Sequence, residues 1–580
     1  MRDVMSRRNR QSGRPRPERV EGPRPRAAAD GSSRRSTWII DPLRDLLLIV
    51  GPPLLIVPAL WAAQGRFRPE QIYLFVASFG AVGHHLPGMM RAYGDRLLFG
   101  RFKYRFLLTP IVLGGTCVLF AMRELTAMVL IAYVWGVWHG LMQTYGFLRI
   151  YDAKAGSVAR TTARLDMAMC IGWFGAAVLV SPTRMTKLAT DYYNAGGAVV
   201  SPAALSLVVD IWVVATAIVT VAFLSRLVHG LLRGERPSSA KLALLTVSVA
   251  FWWYSNVAVS NMLVGIALFE VFHDVQYLTI VWIFNVNRVD RNPGVGSFAR
   301  FLFRRSWSLG GLYVGLVAAY GALNYLPASV SDQSVSRVLT GLLTASALLH
   351  FYYDGFIWKV REQAVGESLG VGSATRPPRV EAAATIGWAH GLKWAALAIP
   401  VAWLGVSQAR GTLGRFERDR LVAEAVPRSA QARNNFGGSL LLQGRVDDAI
   451  PQLQEALRLD PAHAEAHSNL GVALARRGNA TEAIEHYRES LRLDPRQTQA
   501  YSNLGNALLA QGHISEAIAQ FEAALVLDPS DPQARTNLAG AFVREGRVED
   551  AIAQLERVLT TTPGFQPAGR NLEILRQQGR

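Results

Sequence analysis

The residues with the most chemical content are histidines set in apolar surroundings. They stand in GHHLPGMM (His84, His85), WHGLMQTYGF (His139), FEVFHDVQY (His273) and HFYYDGF (His350). Carboxylates accompany two of them. Glu270, His273 and Asp274 follow an i, i+3, i+4 spacing, which puts all three on one face of a helix, and His350 and Asp354 share a face in the same way. Neutral imidazole with carboxylate and without thiolate suits iron, zinc or copper, and iron with open positions suits oxygen chemistry. Paired irons held by Glu and His from several helices are a known use of helical bundles. The expected metal ligands are therefore His84, His85, His139, Glu270, His273, Asp274, His350 and Asp354. Two other uses of these residues stay open: hydrogen bonding between apolar helices, the commoner role of a single histidine there, and a proton or ion path. His229 and His390 have no neighbouring acid and read as packing residues.

These side chains lie far apart in sequence, so helices must bring them together. The chain has 580 residues and is 50% hydrophobic. Its apolar residues concentrate between about 43 and 406, in runs near the ~20 residues that cross a bilayer as helix. Eleven spans are expected, near 43–62, 71–92, 106–122, 125–147, 165–182, 204–228, 242–258, 261–286, 308–326, 336–358 and 384–406. This reading makes residues 37–409 an integral membrane helical domain. An ionisable group inside such a bundle is costly unless paired or ligated, so the histidines mark function by default.

Charge gives a topology. Counting Lys and Arg in the connections and within two residues of the helix ends, one alternate set carries 22 and the other 6. The positive set is expected on the cytoplasmic side. Residues 1–36, with eleven arginines among Pro, Gly and Ser, read as a disordered basic cytoplasmic tail without the apolar core of a signal peptide. An odd number of spans then places the C-terminal region outside. The net charge of +18 does not imply nucleic-acid binding, because it sits in the tail and in alternate connections. RAYGDR (91–96), RIYDAK (149–154) and NRVDR (287–291) read as interfacial anchors or contacts to lipid headgroups. Cys117 and Cys170, the only cysteines, both lie in apolar runs, so no disulfide framework is expected.

The C-terminal quarter is periodic. Pro461, Pro495, Pro529 and Pro563 fall 34 residues apart, as do Asn435, Asn469, Asn503 and Asn537, and Ala449, Ala483, Ala517 and Ala551. A period of this length indicates a copied helix–turn–helix unit. HSNLGVALARRGNATEAIEHYRESLRLDP and YSNLGNALLAQGHISEAIAQFEAALVLDP are two of the copies. This stretch resembles the tetratricopeptide repeat (TPR) family, which implies an α-solenoid of four units over 430–565. Residues 410–429 are expected to be a linker or half repeat, and 566–580 a capping helix.

The resemblance implies a protein or peptide partner. Asn435, Asn469, Asn503 and Asn537 take the sixth position of each unit, where an asparagine ladder can grip a peptide backbone, and Asn506 adds an amide in the third unit. The equal alternative is local hydrogen bonding by a consensus residue. The subset of the family that clamps C-terminal carboxylates uses lysines, and residues 430–580 contain none; Arg476 is the nearest substitute. The stretch holds 15 basic and 18 acidic residues, which again excludes nucleic acid as a partner.

For the membrane part, the helix-borne histidines resemble histidine-rich membrane oxygenases only loosely, since the HxxxH and HxxHH boxes are missing and Asp354 stands where a second histidine would. The architecture resembles membrane glycosyltransferases carrying external TPR arrays. Those need an acidic pair in the first external loop, and GRFRPEQ has Glu70 alone. The expected fold is thus all-α, a polytopic helical membrane bundle followed by a TPR α-solenoid. The expected function is a His/carboxylate metal site, iron foremost, acting on a lipid-soluble substrate. The alternatives are a non-catalytic membrane-anchored TPR scaffold for complex assembly and a TPR-bearing glycosyltransferase.

Overall fold

The computed structural model of the chain describes residues 37–157, 159–235, 237–291, 297–304, 306–357, 369 and 388–578. The expected tail 1–36, the start of the expected span 384–406 and the last two residues lie outside them. Among the described residues the structure is helical and contains no strand.

The N-terminal part is built from α1 (Pro52–Gln64), α2 (Pro69–Val76), α3 (His85–Gly94), α4 (Arg96–Met122), α5 (Ala127–Lys154), α6 (Arg160–Val180), α7 (Pro182–Asn194), α8 (Pro202–Leu232), α9 (Ser239–Trp253), α10 (Met262–Arg291), α11 (Trp307–Gly321), α12 (Gln333–Ile357) and α13 (Trp388–Arg410). Local chemistry starts several of them. Asp95 accepts from Leu97 N and Leu98 N at 3.1 Å to open α4. Ser181 and Ser201 cap α7 and α8, each followed by Pro at the first helical position, where its missing N–H costs nothing.

Among the described residues, six helices are long and apolar enough to cross a membrane: Arg96–Met122, Arg160–Val180, Pro202–Leu232, Met262–Asp290, Ser308–Ser329 and Gln333–Gly355. Pro42–Val50 with Pro52–Gln64, bent by 43°, makes a seventh if the pair is one span. Eleven spans are therefore not what the described residues provide. The expected span 71–92 is broken: α2 gives way to a π-helical turn at Ala77–Val82, and α3 begins only at His85. Glycine explains the break. A Cβ on Gly83 would lie 2.8 Å from the carbonyl oxygen of Val317, so this chain segment runs against another backbone. The expected span 242–258 likewise shortens to α9 and a π-helical turn at Tyr254–Ala258. The expected span 125–147 is one helix, α5, that runs on to Lys154 but is not among the six.

Several polar contacts link connections of the same alternate set. In the arginine-rich set, Lys241 Nζ lies 2.8 Å from Asp152 and 2.7 Å from Asp166, and Arg149 lies 2.6 Å from Asp152. These buried charges join α5, α6 and α9. Arg288 pairs with Asp95 at 2.6 Å, joining the end of α10 to the start of α4. In the other set, Arg337 pairs with Glu124, and the Gln408 side chain accepts from Thr126 N at 2.9 Å.

The C-terminal part begins with α14 (Arg415–Ala425), inside the expected linker. Its Leu421 and Val422 pack with Tyr193 of α7 and with Ala432 of the first repeat helix. Thr186 Oγ1 donates to Ser429 Oγ at 2.7 Å, and Arg418 donates to Asn194 at 3.0 Å. The array follows as α15 (Ala430–Leu442), α16 (Val446–Leu459), α17 (Ala464–Arg477), α18 (Ala480–Leu493), α19 (Thr498–Ala510), α20 (Ile514–Leu527), α21 (Pro532–Glu545) and α22 (Val548–Thr561), closed by α23 (Gln566–Gln578). Two glycine positions explain the period. Gly444, Gly478, Gly512 and Gly546 all take positive φ at the turn within each unit, which a side chain would strain. Gly437, Gly471 and Gly505 let the paired helix approach: a Cβ there would lie 2.7, 2.7 and 2.6 Å from Leu453, Tyr487 and Phe521.

Candidate functional site

The break at Gly83–His84 and the helices α5, α10 and α12 converge on one buried cluster. His84 comes from the turn before α3, His139 from α5, His273 and Asp274 from α10, and His350 from α12. Their exposures are 2, 8, 4, 4 and 1% respectively, so the imidazoles are shielded from solvent. Ring centroids of His84 lie 4.6 Å from His350 and 5.2 Å from His273; His139 lies 4.9 Å from His350 and 5.0 Å from His273.

His84 is the hub. Its Nε2 lies 3.0 Å from His350 Nε2, and its Nδ1 lies 2.7 Å from Asp274 Oδ1 and 3.1 Å from the Gly80 carbonyl oxygen. Two sets of potential ligand atoms, each mutually within 4.8 Å, result: His84, His139 and His350, and His84, His273 and Asp274. His139 Nε2 and His350 Nδ1 are buried without a hydrogen-bond partner, and so is Asp274 Oδ2, while Asp274 Oδ1 pairs with His84 Nδ1. Buried polar atoms are normally satisfied, so orphans gathered at one point call for an occupant. Glycine makes room for them. A Cβ on Gly80 would collide with Asp274 Oδ2, and one on Gly88 would stand 3.3 Å from His350 Nδ1.

The remaining expected ligands take other places. His85 stacks on His350 at 4.8 Å, while its Nδ1 meets Ser346 Oγ at 3.1 Å. Asp354 accepts from Tyr277 at 3.1 Å and lies 3.5 Å from His350 Nε2. Glu270 is one turn before Asp274 and joins neither ligand set. His85 and Asp354 thus flank His350 at the edge of the cluster. His229 is exposed near the end of α8.

Sequence reading missed the polar residues around the histidines. Gln143, one turn after His139, donates to the His273 carbonyl oxygen at 3.0 Å and to Gln276 at 3.3 Å; Gln276 donates to the Ile49 carbonyl oxygen at 2.6 Å. These bonds lock α5 to α10 and to the segment before α1. The signal was present as His-x-x-x-Gln and His-x-x-Gln spacings, which place each glutamine on the face of its histidine.

In the array, the ladder residues Asn435, Asn469, Asn503 and Asn537 are half-buried, and Asn506 is exposed. Gln431, Gln499 and Gln533 donate to the Oδ1 of Asn435, Asn503 and Asn537 at 2.8, 3.1 and 2.8 Å. Asn469 instead donates to Asn434 at 2.8 Å. Arg476 donates to the Leu441 carbonyl oxygen of the preceding unit at 2.6 Å, and Arg544 repeats this with Leu509 at 2.9 Å, so both arginines staple neighbouring units.

Residues 435–498 and 502–564 match one tetratricopeptide repeat family model, and 474–524 match another. The periodic quarter is a TPR array. No curated protein matches the chain. Solved structures similar to it include YrrB, described as a TPR protein with an unusual peptide-binding site, at 20% identity over 31% of this chain and 89% of that one, TM-score 0.25. TTC0263, a thermophilic TPR protein of Thermus thermophilus, is similar at 18% identity over 33% and 96%, TM-score 0.26. MamA of Desulfovibrio magneticus is similar at 19% identity over 26% and 85%, TM-score 0.24.

Proposed function

We propose that this chain is a multi-pass membrane protein whose helical bundle holds a transition metal at His84, His139, His273, Asp274 and His350 and acts on a lipid-soluble substrate. Its TPR array recruits a protein or peptide partner. The observation that carries the reading is the convergence of four imidazoles and a carboxylate from four separate chain segments on one buried point, with orphaned ligand atoms among them. Uncompensated, such a cluster costs several kcal/mol in desolvated polar groups. A bound cation with imidazole and carboxylate ligands removes that cost, and iron, zinc and copper all accept this donor set.

Membrane insertion is supported by the surface of the helices. α8 keeps only 6% of its most apolar window buried, and Leu207, Val208, Ile211, Val214, Ile218 and Val221 are all exposed. An exposed apolar surface of that extent belongs in lipid. Sidedness follows from charge. Among the described residues, Lys241 and Arg288 pair within the arginine-rich connections, and the array docks on α7 in the other set. The positive-inside rule then puts the array on the external side. There Asn435, Asn503 and Asn537, with their Oδ1 atoms held by glutamine, present amide donors to the carbonyls of an extended peptide.

The test is elemental analysis of the full chain purified in mild detergent, beside His139→Ala and His350→Ala. Near-stoichiometric iron, zinc or copper, lost in both variants while helix content is kept, is the expected result. Absence of metal in the wild type removes the catalytic reading and leaves a membrane-anchored TPR scaffold.

A further inference from the structure

We infer that Arg184 is the centre of a binding site for a phosphate group, on the helix against which the repeat array docks. The inference goes beyond the metal reading and stands without it. Arg184 lies in the first turn of α7 and is 2% exposed. Its side chain donates from Nη2 to the Ser255 carbonyl oxygen at 3.2 Å, and among the described residues no ion pair includes it. Asp191, the acid of the same helix, pairs instead with Lys187. Lys241, shielded to a like extent, meets two carboxylates. A buried charge without a counter-charge is strongly unfavourable, so Arg184 calls for an anion.

The surrounding groups hold the guanidinium without neutralising it. Ser181 Oγ donates to the Asn256 carbonyl oxygen at 2.6 Å, and Asn256 Nδ2 and Ser255 Oγ donate to that of Trp252 at 2.8 and 3.1 Å. All three side chains are buried and neutral. The helix ends nearly cancel. The turn at Tyr254–Ala258 brings the negative end of α9 to Ser255, about half a charge, and the first turn of α10 opposes it with about half a positive charge. That turn is close, since a Cβ on Gly265 would lie 2.8 Å from Arg184 Nη2. Burial pulls the pKa of Arg184 below its ordinary 12.5, yet a guanidinium stays protonated. Tyr133 of α5 acts the other way, and as a phenol it is a further donor for an anion rather than a counter-charge.

Position and shape select phosphate. α7 joins Arg160–Val180 to Pro202–Leu232, two helices long and apolar enough to cross a membrane, so Arg184 stands at the level of a bilayer's phosphates. Its remaining N–H groups form a planar fork that matches two phosphate oxygens. A lipid headgroup and a free phosphate share this chemistry.

The experiment separates the two sources. Full-length chain in non-ionic detergent is freed of co-purified lipid and exchanged into chloride buffer. Its unfolding midpoint is then followed against inorganic phosphate and against phosphatidylglycerol, at constant ionic strength. A saturable rise is expected. A rise with inorganic phosphate assigns a free anion, and one confined to phosphatidylglycerol assigns a headgroup. Arg184→Gln should raise the half-saturating concentration roughly thirtyfold or more, the loss that follows removal of one partner of a buried charge pair. Lys187→Gln, which removes a neighbouring, more exposed cation, should leave it unchanged. No saturable rise with either probe in the wild type overturns the site. Half-saturation unchanged in Arg184→Gln overturns it as well, and leaves Arg184 as a cap on the Ser255 carbonyl. Where Arg184→Gln does not fold, Arg184→Lys takes its place: it keeps the charge and loses the fork, and unweakened binding there overturns the site.

Discussion

His84 and His350 are separated by 266 residues, yet their Nε2 atoms lie 3.0 Å apart in a buried cluster. Neither belongs to a helix that the other's neighbours specify. His350 sits on α12, which packs along α4, while His84 sits where the preceding helix is interrupted by a π-helical turn. The contact therefore depends on how closely the interrupted segment approaches α10 and α12, and that approach is set by glycine.

Gly80→Ala is the direct probe of this approach. The new methyl would collide with Asp274 Oδ2, so the carboxylate or the backbone must move. We expect a loss of about 1–3 kcal/mol from overpacking, together with reduced metal content. Gly100→Ala, whose Cβ meets nothing within 4 Å, serves as control. Thermal unfolding of the two detergent-purified variants decides it: equal midpoints would mean that the segment yields freely.

Lys241 holds the buried charges at the arginine-rich connections. Its Nζ reaches both Asp152 and Asp166, and Asp166 has no exposed side-chain surface. Lys241→Ala leaves two buried carboxylates with Arg149 alone, and breaking a buried pair from one side costs about 3–5 kcal/mol. The expected outcome is a strongly lowered unfolding midpoint and poor recovery of monodisperse protein. A midpoint unchanged from the wild type would show that water replaces the ammonium at no cost.

The array carries a pH dependence of defined sign. Burial, and secondarily His467, lower the pKa of His486 from its ordinary 6.5. The unfolded chain then binds this proton more readily than the folded one. Its contribution to stability is complete above the unfolded value and is lost as pH falls through the lower, folded one. The array's unfolding transition should come at lower temperature at about pH 5.5 than at about pH 7.5. His486→Gln should flatten the difference, as read by circular dichroism; an undiminished slope in the variant would assign the effect to other groups.

Much of the array was legible without coordinates, for a physical reason. A 34-residue period repeats one local solution, so glycine at 444, 478, 512 and 546 and proline at 461, 495, 529 and 563 each announce the same turn four times over. Helical class and the apolar spans of α4, α6, α8, α10 and α12 were legible too, since they depend on composition and length. The interrupted segments were not. Ala77–Val82 and Tyr254–Ala258 read as continuous apolar helix, and only packing against Val317, Asp274 and Gly265 distinguishes them.

The candidate site divides along the same line. Residue types and i, i+3, i+4 spacings determined by themselves that His139, His273, Asp274 and His350 stand on faces of apolar helices, because that follows from helical geometry within one segment. Which of the eight expected ligands meet was decided by tertiary structure. Glu270 lies one turn from Asp274, and Asp354 one turn from His350, yet a rotation or rise of one residue directs a side chain into or beside the cluster. That the two nitrogens of His84 face different groups is a property of where four chain segments cross, and no spacing within any one of them contains it.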